Sequence, residues 1–460
     1  MKIIDVFKKI SWKIKYDTGD MPYPPVIFWK NNIKSLDIIS AWKNTISYIN
    51  KSKKKHNMWL YVHIPFCYTR CFYCTCVTKT SHNELEYDEY LDLIELECKK
   101  FSKTFKSIKF NTIYVWWGTP TILTTKQIDR FYNILKKYFD LSEVVQMMTE
   151  WSPYTTTEEK LKILVKHWVK KMTFWVQSLD SEVLKLNNRP QETNYVIDIV
   201  KKAKELWIKY INIDVMAWIP WQDIKGFEKT IKLVEEKIKP DTVHINAFWP
   251  TRRTSFIKSW WFYSEDDIVL RNKLRSIGHS LEEKSHWDSD DEADNIQLFN
   301  AKNYNSSILW IWLWAISHAF WSLHYAKESM DKYKDWLYEW DDIDVNWYFL
   351  NLEDEQVTYI INNFRNWVYF DKFFILFNLK LENTLLYKKV LELEKNWLII
   401  INSNEFWKYF KSKINSEVFC DIYSKFFYSD LLIKDFIKKF NINWKEFSNI
   451  DFKLKQFYAD

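Results

Sequence analysis

The sequence predicts an α/β fold: a parallel sheet of six strands with right-handed helical crossovers, curled or closed as a barrel. Three observations predict it. Between Met58 and Ala247, short apolar runs alternate with longer amphipathic ones. Polar residues gather at the carboxyl ends of successive runs, where the loops of such sheets carry their chemistry. Beyond about Ser285 the pattern changes to Phe-, Tyr- and Lys-rich amphipathic helices, a mostly helical C-terminal part. The expected division is an N-terminal extension at 1–57, the α/β part at 58–285 and the C-terminal part at 286–460.

The elements follow in order. Pro22, Pro24 and Pro25 make residues 1–57 read as an extended segment wrapping the barrel mouth. Lys51 to Lys55, the one dense basic run, reads as a solvated linker before the first strand. The strands are expected at Trp59–Ile64, Thr112–Trp116, Val144–Glu150, Lys171–Gln177, Ile211–Ala217 and Thr242–Ala247. Helices fit between them at Glu84–Phe101, Lys126–Phe139, Thr156–His167, Thr193–Leu206 and Ile224–Ile238. Leu91, Ile94, Cys98 and Phe101 form one stripe of the first helix, which makes Cys98 a core residue. His318 and His324 read as structural histidines.

The densest chemistry lies in HIPFCYTRCFYCTC, where Cys67, Cys71 and Cys74 stand at C-x3-C-x2-C spacing. Three thiolates on one short loop can hold three irons of a cubane cluster and leave the fourth open to a substrate. A structural zinc site wants four ligands, usually as two knuckles, and no second knuckle follows. Six cysteines in 460 residues, with no signal peptide, point to a reducing cytoplasm rather than disulfides.

Composition is the second anomaly. The chain holds 27 Trp and only 4 Gly. Together they make about 7% of the residues, the ordinary share of glycine alone. Trp116-Trp117-Gly118-Thr119-Pro120 ends a strand where a glycine run would admit a ligand, and Trp310, Trp312 and Trp314 alternate before Ala315-Ile316-Ser317-His318. Translation of UGA as tryptophan, in a lineage that reads it as glycine, would produce this pattern. A membrane belt would flank an apolar span, and the densest run, Ile308 to Phe320, is too short for one. The net charge of +6 is mild, and no nucleic-acid-binding motif is present.

The cysteine spacing after a first strand, with a Thr-Pro turn after the second, resembles the radical S-adenosylmethionine (SAM) enzymes. Tyr61-Val62-His63-Ile64-Pro65-Phe66-Cys67, the extra Cys76 and Trp117-Gly118-Thr119-Pro120-Thr121 narrow this to the oxygen-independent coproporphyrinogen III oxidases of HemN type. Trp175-Val176-Gln177-Ser178, Asn188-Arg189-Pro190-Gln191, Asn212-Ile213-Asp214 and the Trp310–Ser317 turn agree with it. The resemblance implies a partial (β/α)6 TIM-like barrel and a [4Fe-4S] cluster held by Cys67, Cys71 and Cys74. It implies one or two SAM molecules, cleaved to a radical that turns propionates of coproporphyrinogen III, or a related tetrapyrrole, into vinyl groups. It also implies an electron donor such as flavodoxin or ferredoxin, a monomer, and no membrane or nucleic-acid partner.

By the same resemblance, Tyr61 packs near cluster and cofactor, and Tyr73 is the aromatic contact. The backbone at Trp117, Gly118 and Thr119 meets the methionyl end. Glu150 takes the ribose hydroxyls and Arg189 the SAM carboxylate. Gln177, Asp214, Ala247 and Ile316 line the same pocket. Cys76 stays between two readings, a part in the substrate chemistry and a packed thiol. Thr75 and Val77 depart from the family's usual glycine and asparagine, which keeps open a radical SAM enzyme on another substrate. A HemW-like haem chaperone on the same scaffold is the other alternative, against which Cys76 and the long stretch before the barrel favour the oxidase.

Overall fold

The computed structural model describes residues 29–248, with gaps at 31–32, 52–55, 77 and 117. It also describes 265–288, residues 254 and 427, and 306–413 with gaps at 312–315, 321, 328–329, 341, 344, 365–366, 396–397 and 404–407. The proline-bearing stretch at 22–25 lies outside these residues.

Helix α1 (Ser35–Lys51) is the first helix among the described residues. Over residues 35–51 the extended reading is therefore corrected. Ser35, Ile38, Ala41, Trp42, Thr45 and Ile46 recur at helical spacing and are all buried. Trp42 Nε1 donates to Tyr325 Oη at 3.2 Å, which ties the helix to a strand far along the chain.

The α/β part then alternates as expected. Strand β1 (Asn57–His63) leads through the cysteine loop to α2 (Glu84–Ser102). Next come β2 (Thr112–Trp116), α3 (Thr125–Tyr138), β3 (Gln146–Trp151) and α4 (Glu158–Lys166). Strand β4 (Lys171–Gln177) is followed by the short α5 (Ser181–Leu186) and by α6 (Thr193–Glu205). Then come β5 (Tyr210–Ala217), α7 (Ile224–Leu233), β6 (Thr242–Ala247) and α8 (Glu265–Asp288). Helix starts carry local caps: Thr124 and Gln127 form a reciprocal capping box on α3, and Asp180 caps α5.

The six strands pair in parallel in the order β1-β2-β3-β4-β5-β6. The sheet also runs past the 285/286 division. Strand β7 (Ser306–Ile311) lies parallel beside β1, and β8 (Ile316–Ala319), β9 (Leu323–Lys327) and β10 (Val345–Phe349) extend it antiparallel. The result is an open ten-stranded sheet with β6 at one edge and β10 at the other. A helix covers the β6 edge, the device that keeps an exposed strand from pairing elsewhere. In α8, Ser285 Oγ accepts from Val243 N at 3.0 Å and Glu282 Oε1 from Ile245 N at 3.1 Å.

Parity along the strands sorts the side chains onto two faces. Leu60, Val62, Ile113, Val115, Met172 and Ile213 join the main core beneath the helices. Tyr61, Tyr114, Met148 and Trp310 form a separate cluster on the opposite, inner face. A further core, including Tyr359, Ile360, Phe373 and Phe410, belongs to the helices and strands beyond residue 350, and Phe320 after β8 joins it.

Candidate active site

The cysteine loop is gripped from two sides. On one side lies the turn after β2, where Gly118 takes a φ of +63°. A Cβ at that position would stand 2.1 Å from Ile64 O and 2.9 Å from Phe66 O, so only glycine lets the loop come this close. The next residue completes the grip: Thr119 N donates to Phe66 O at 2.6 Å, and Thr119 Oγ1 to Cys67 Sγ at 3.4 Å. On the other side lies the end of α5. Phe72 N donates to Asn187 O at 3.1 Å and Asn188 Nδ2 to Arg70 O at 3.0 Å.

Arg189 is the buried cation of the loop. Its Nη1 approaches Cys71 Sγ at 3.7 Å, its Nη2 donates to Ser152 Oγ at 3.2 Å, and its Nε donates to Gln191 Oε1 at 3.2 Å. Nη2 also donates to Trp175 O, and the guanidinium lies 5.5 Å from the centre of the Tyr154 ring. Most of its donors are thus taken up by the protein, so the arginine acts here as a strut and a positive charge beside Cys71.

The thiols differ in environment. Burial pushes the Cys67 thiol up to about 12. Cys74 is drawn down to about 7, chiefly by a hydrogen bond from Cys76, against its own burial and with help from the Arg70 and Arg189 charges. Cys76 is raised by the same pairing with Cys74 and by burial. Among the described residues, no three His, Cys, Asp or Glu side chains converge on one ion position. A cubane asks for something else, since its three thiolates each take a different iron.

The inner face of the sheet carries the polar residues. Glu150, next to last in β3, is buried and accepts from Tyr114 Oη and, at 2.6 Å, from Trp175 Nε1. Gln177 sits at a register shift in β4 with a φ of +66°, and its buried Oε1 finds no partner among the described residues. A strained backbone and an unpaired buried carbonyl at a strand end are features that recur where proteins contact ligands. Asp214 accepts from Asn212 Nδ2 at 2.7 Å, and Asn212 Oδ1 accepts from Thr242 Oγ1 at 2.9 Å. Burial pushes Asp214 up to about 6, moderated by His244, its register partner on β6. His244 Nδ1 lies 2.9 Å from Glu282 Oε1, and His279 Nδ1 lies 3.0 Å from Glu282 Oε2. Burial works against the Glu282 carboxylate, but these two histidines hold it down at about 2. The Glu282 hydrogen bond and the Asp214 charge raise His244 despite its burial.

Tyr61 is buried on this inner face with the Trp310 ring stacked on it, centroids 4.0 Å apart. Tyr73 is buried beside Cys71. Ala247 closes β6, half-buried. Trp117 lies outside the described residues, and Ile316 is described only by its backbone pairing with Ala326. The structure thus brings Tyr61, Glu150, Gln177 and Asp214 to one face and sets the cysteines with Arg189 at the strand ends beside it. Sequence reasoning missed Ser152, Gln191 and the His244–Glu282 pair. Only the last left a signal, since His244 is in phase with Asp214 one strand later.

The donor set fits a cluster and a SAM-sized ligand, although two indoles, Trp175 and Trp310, occupy part of the inner face. Residues 61–234 match the profile of the radical SAM superfamily. An oxygen-independent coproporphyrinogen III oxidase of Salmonella typhimurium is 28% identical over 186 residues, 40% of each chain. The haem chaperone HemW of Bacillus subtilis is 32% identical over 175 residues, 37% of this chain and 45% of that one. The matched stretch therefore spans less than half the length of these relatives. The solved coproporphyrinogen III oxidase HemN of Escherichia coli superposes with a TM-score of 0.72 at 18% identity, over 88% of this chain and 96% of that one, a likeness of fold. Over residues 61–234 the chain is thus similar to the radical SAM superfamily, whose members use a [4Fe-4S] cluster and S-adenosylmethionine.

Proposed function

We propose that this protein is a HemN-like oxidase that decarboxylates propionate side chains of coproporphyrinogen III, or of a related tetrapyrrole, to vinyl groups. The observation that carries the reading is the doubly gripped cysteine loop, set at the mouth of an inner face that bears Tyr61, Glu150, Gln177 and Asp214. Cys67, Cys71 and Cys74 would hold the cluster, and the inner-face residues the SAM. Bound there, the two cofactors supply one-electron, hydrogen-abstracting chemistry, which suits the oxidative loss of carbon dioxide from a propionate.

The chain's own groups have separate tasks. Arg189 offsets the thiolate charge at Cys71 and ties the loop to Ser152 and Gln191. Gly118 keeps side chains away from the loop, so that backbone can lie against a ligand. Gln177 offers a free carbonyl oxygen to a donor such as an amino group. Glu150 accepts hydrogen bonds, as recognition of ribose hydroxyls requires. Tyr61, Tyr114 and Met148, buried on the inner face, keep water from it.

The B. subtilis haem chaperone, with the higher identity of the two relatives, supports a second reading as a haem-binding carrier. One anaerobic experiment separates the two. Protein with glycine restored at the tryptophan positions, reconstituted with iron and sulfide, is given SAM with and without coproporphyrinogen III. The oxidase forms 5′-deoxyadenosine and protoporphyrinogen IX, whereas a carrier binds haem stably and leaves coproporphyrinogen untouched. Absence of 5′-deoxyadenosine under both conditions would reject the oxidase.

A further inference from the structure

Among the described residues, nine other than glycine hold a left-handed backbone, and five of these are tryptophan. They are Trp168, Trp207, Trp218, Trp221 and Trp340, with φ between 59° and 67°. Asparagine tolerates that region through its short polar side chain, but a bulky side chain is strained there.

Two of the five close helices in one geometry. At the end of α4, Trp168 N donates to Val165 O at 3.0 Å and Val169 N to Leu164 O at 3.1 Å. At the end of α6, Trp207 N donates to Lys204 O at 3.0 Å and Ile208 N to Ala203 O at 3.1 Å. This pair of bonds is the helix closure whose first residue past the cap is usually glycine, sometimes asparagine. Helix α5 closes the same way with a tolerated residue: Asn188 N donates to Lys185 O at 3.1 Å and Arg189 N to Leu184 O at 2.9 Å, at a φ of 57°. The indoles return nothing for the strain, because Trp168 is 76% and Trp207 88% exposed. An aromatic side chain stabilises by burial, and these have almost none.

We propose that positions 168, 207, 218, 221 and 340 are glycine in the protein as its own cell makes it, read from UGA codons, and that the inner-face positions 175 and 310 are glycine too. The extension to the inner face rests on the cofactor reading given above. Trp175 takes an oxygen of Glu150 at 2.6 Å, and Trp310 covers Tyr61 at 4.0 Å. With glycine at both, the face bounded by Tyr61, Glu150 and Asp214 opens into a pocket for a nucleoside-bearing sulfonium ligand. The same two side chains would otherwise compete with that ligand for the carboxylate and the ring.

The direct test is peptide sequencing by mass spectrometry of the protein isolated from its source cells. The tryptic peptides His167–Lys170 and Glu205–Lys209 are expected to read glycine at 168 and 207; tryptophan in either overturns the proposal. A second measurement uses the full recombinant chain. Trp168→Gly is expected to fold with an equilibrium constant about 5-fold above Trp168→Ala, because alanine sheds the indole but keeps the Cβ. Equal stability, or the reverse order, counts against glycine at that position. For the inner face, SAM binding by calorimetry is expected in the Trp175→Gly/Trp310→Gly chain and at least 10-fold weaker in the chain as written. Should the peptides read glycine and the double variant still bind no SAM, the cofactor reading fails while the glycine assignment at the helix ends stands.

Discussion

In the sequence as written, the turn after β2 and the turn after β5 meet one backbone problem with opposite residues. Gly118 and Trp218 both follow the end of a parallel strand, and their φ values are nearly equal, +63° and +65°. At 118 the missing side chain lets Ile64, Pro65 and Phe66 lie directly against the backbone, and the cysteine loop is held there. At 218 the indole is buried against Phe248, and the turn is held by Trp218 N donating to Gln222 Oε1 at 2.6 Å. The conformation is imposed by where the chain must turn. The residue type decides whether a second segment, or a ligand, can lie on that turn.

The largest effect should come from breaking the first turn. Gly118→Ala puts a Cβ on Ile64 O and is expected to cost about 3 kcal/mol or more. It should also abolish iron–sulfur reconstitution, followed by iron and sulfide content after anaerobic assembly. Full cluster loading in this variant would show that the loop does not depend on the grip. The second grip is weaker. Arg189→Met removes the buried cation and strands Ser152, Gln191 and Cys71, and should cost about 2–4 kcal/mol by chemical denaturation. Unlike Gly118→Ala, it should leave a folded protein that takes up iron less completely.

Asp214 sharpens the comparison from the β5 side. Its pKa is raised to about 6, so the folded state binds the extra proton between its ordinary value and that point. The stability from this group is fully present below the ordinary carboxylate range and is lost as pH rises through about 6. Asp214→Asn should therefore raise the melting temperature at pH 7 and leave it unchanged near pH 4. Glu282 behaves oppositely. Its pKa is lowered to about 2, so its contribution is present above the ordinary range and is lost as pH falls towards 2. The smallest effect belongs to a cysteine away from both turns. Cys98 is fully buried in the main core, and Cys98→Ala should cost about 1 kcal/mol and leave iron content unchanged.

Much of the architecture was legible residue by residue. The strands at 112–116, 171–177 and 242–247 fall at the expected bounds, because β-branched and aromatic runs between turn residues read the same in any context. Helix α1 was hidden by prolines upstream of it, although its apolar stripe repeats at helical spacing. The pairing of β7 with β1 was hidden for a different reason: it joins segments about 250 residues apart, and periodicity carries no information on partners.

By itself, the sequence determined the thiol spacing, the alternation of strands and helices, and the imbalance between tryptophan and glycine, since each is a property of neighbouring residues or of composition. Only the tertiary structure decided that Arg189 spends its donors on Cys71, Ser152 and Gln191 rather than standing open. It also decided that Gln177 keeps an unpaired oxygen and that His244 faces Asp214. Those facts depend on which distant groups burial forces together, and a buried donor takes whatever acceptor the packing brings within reach.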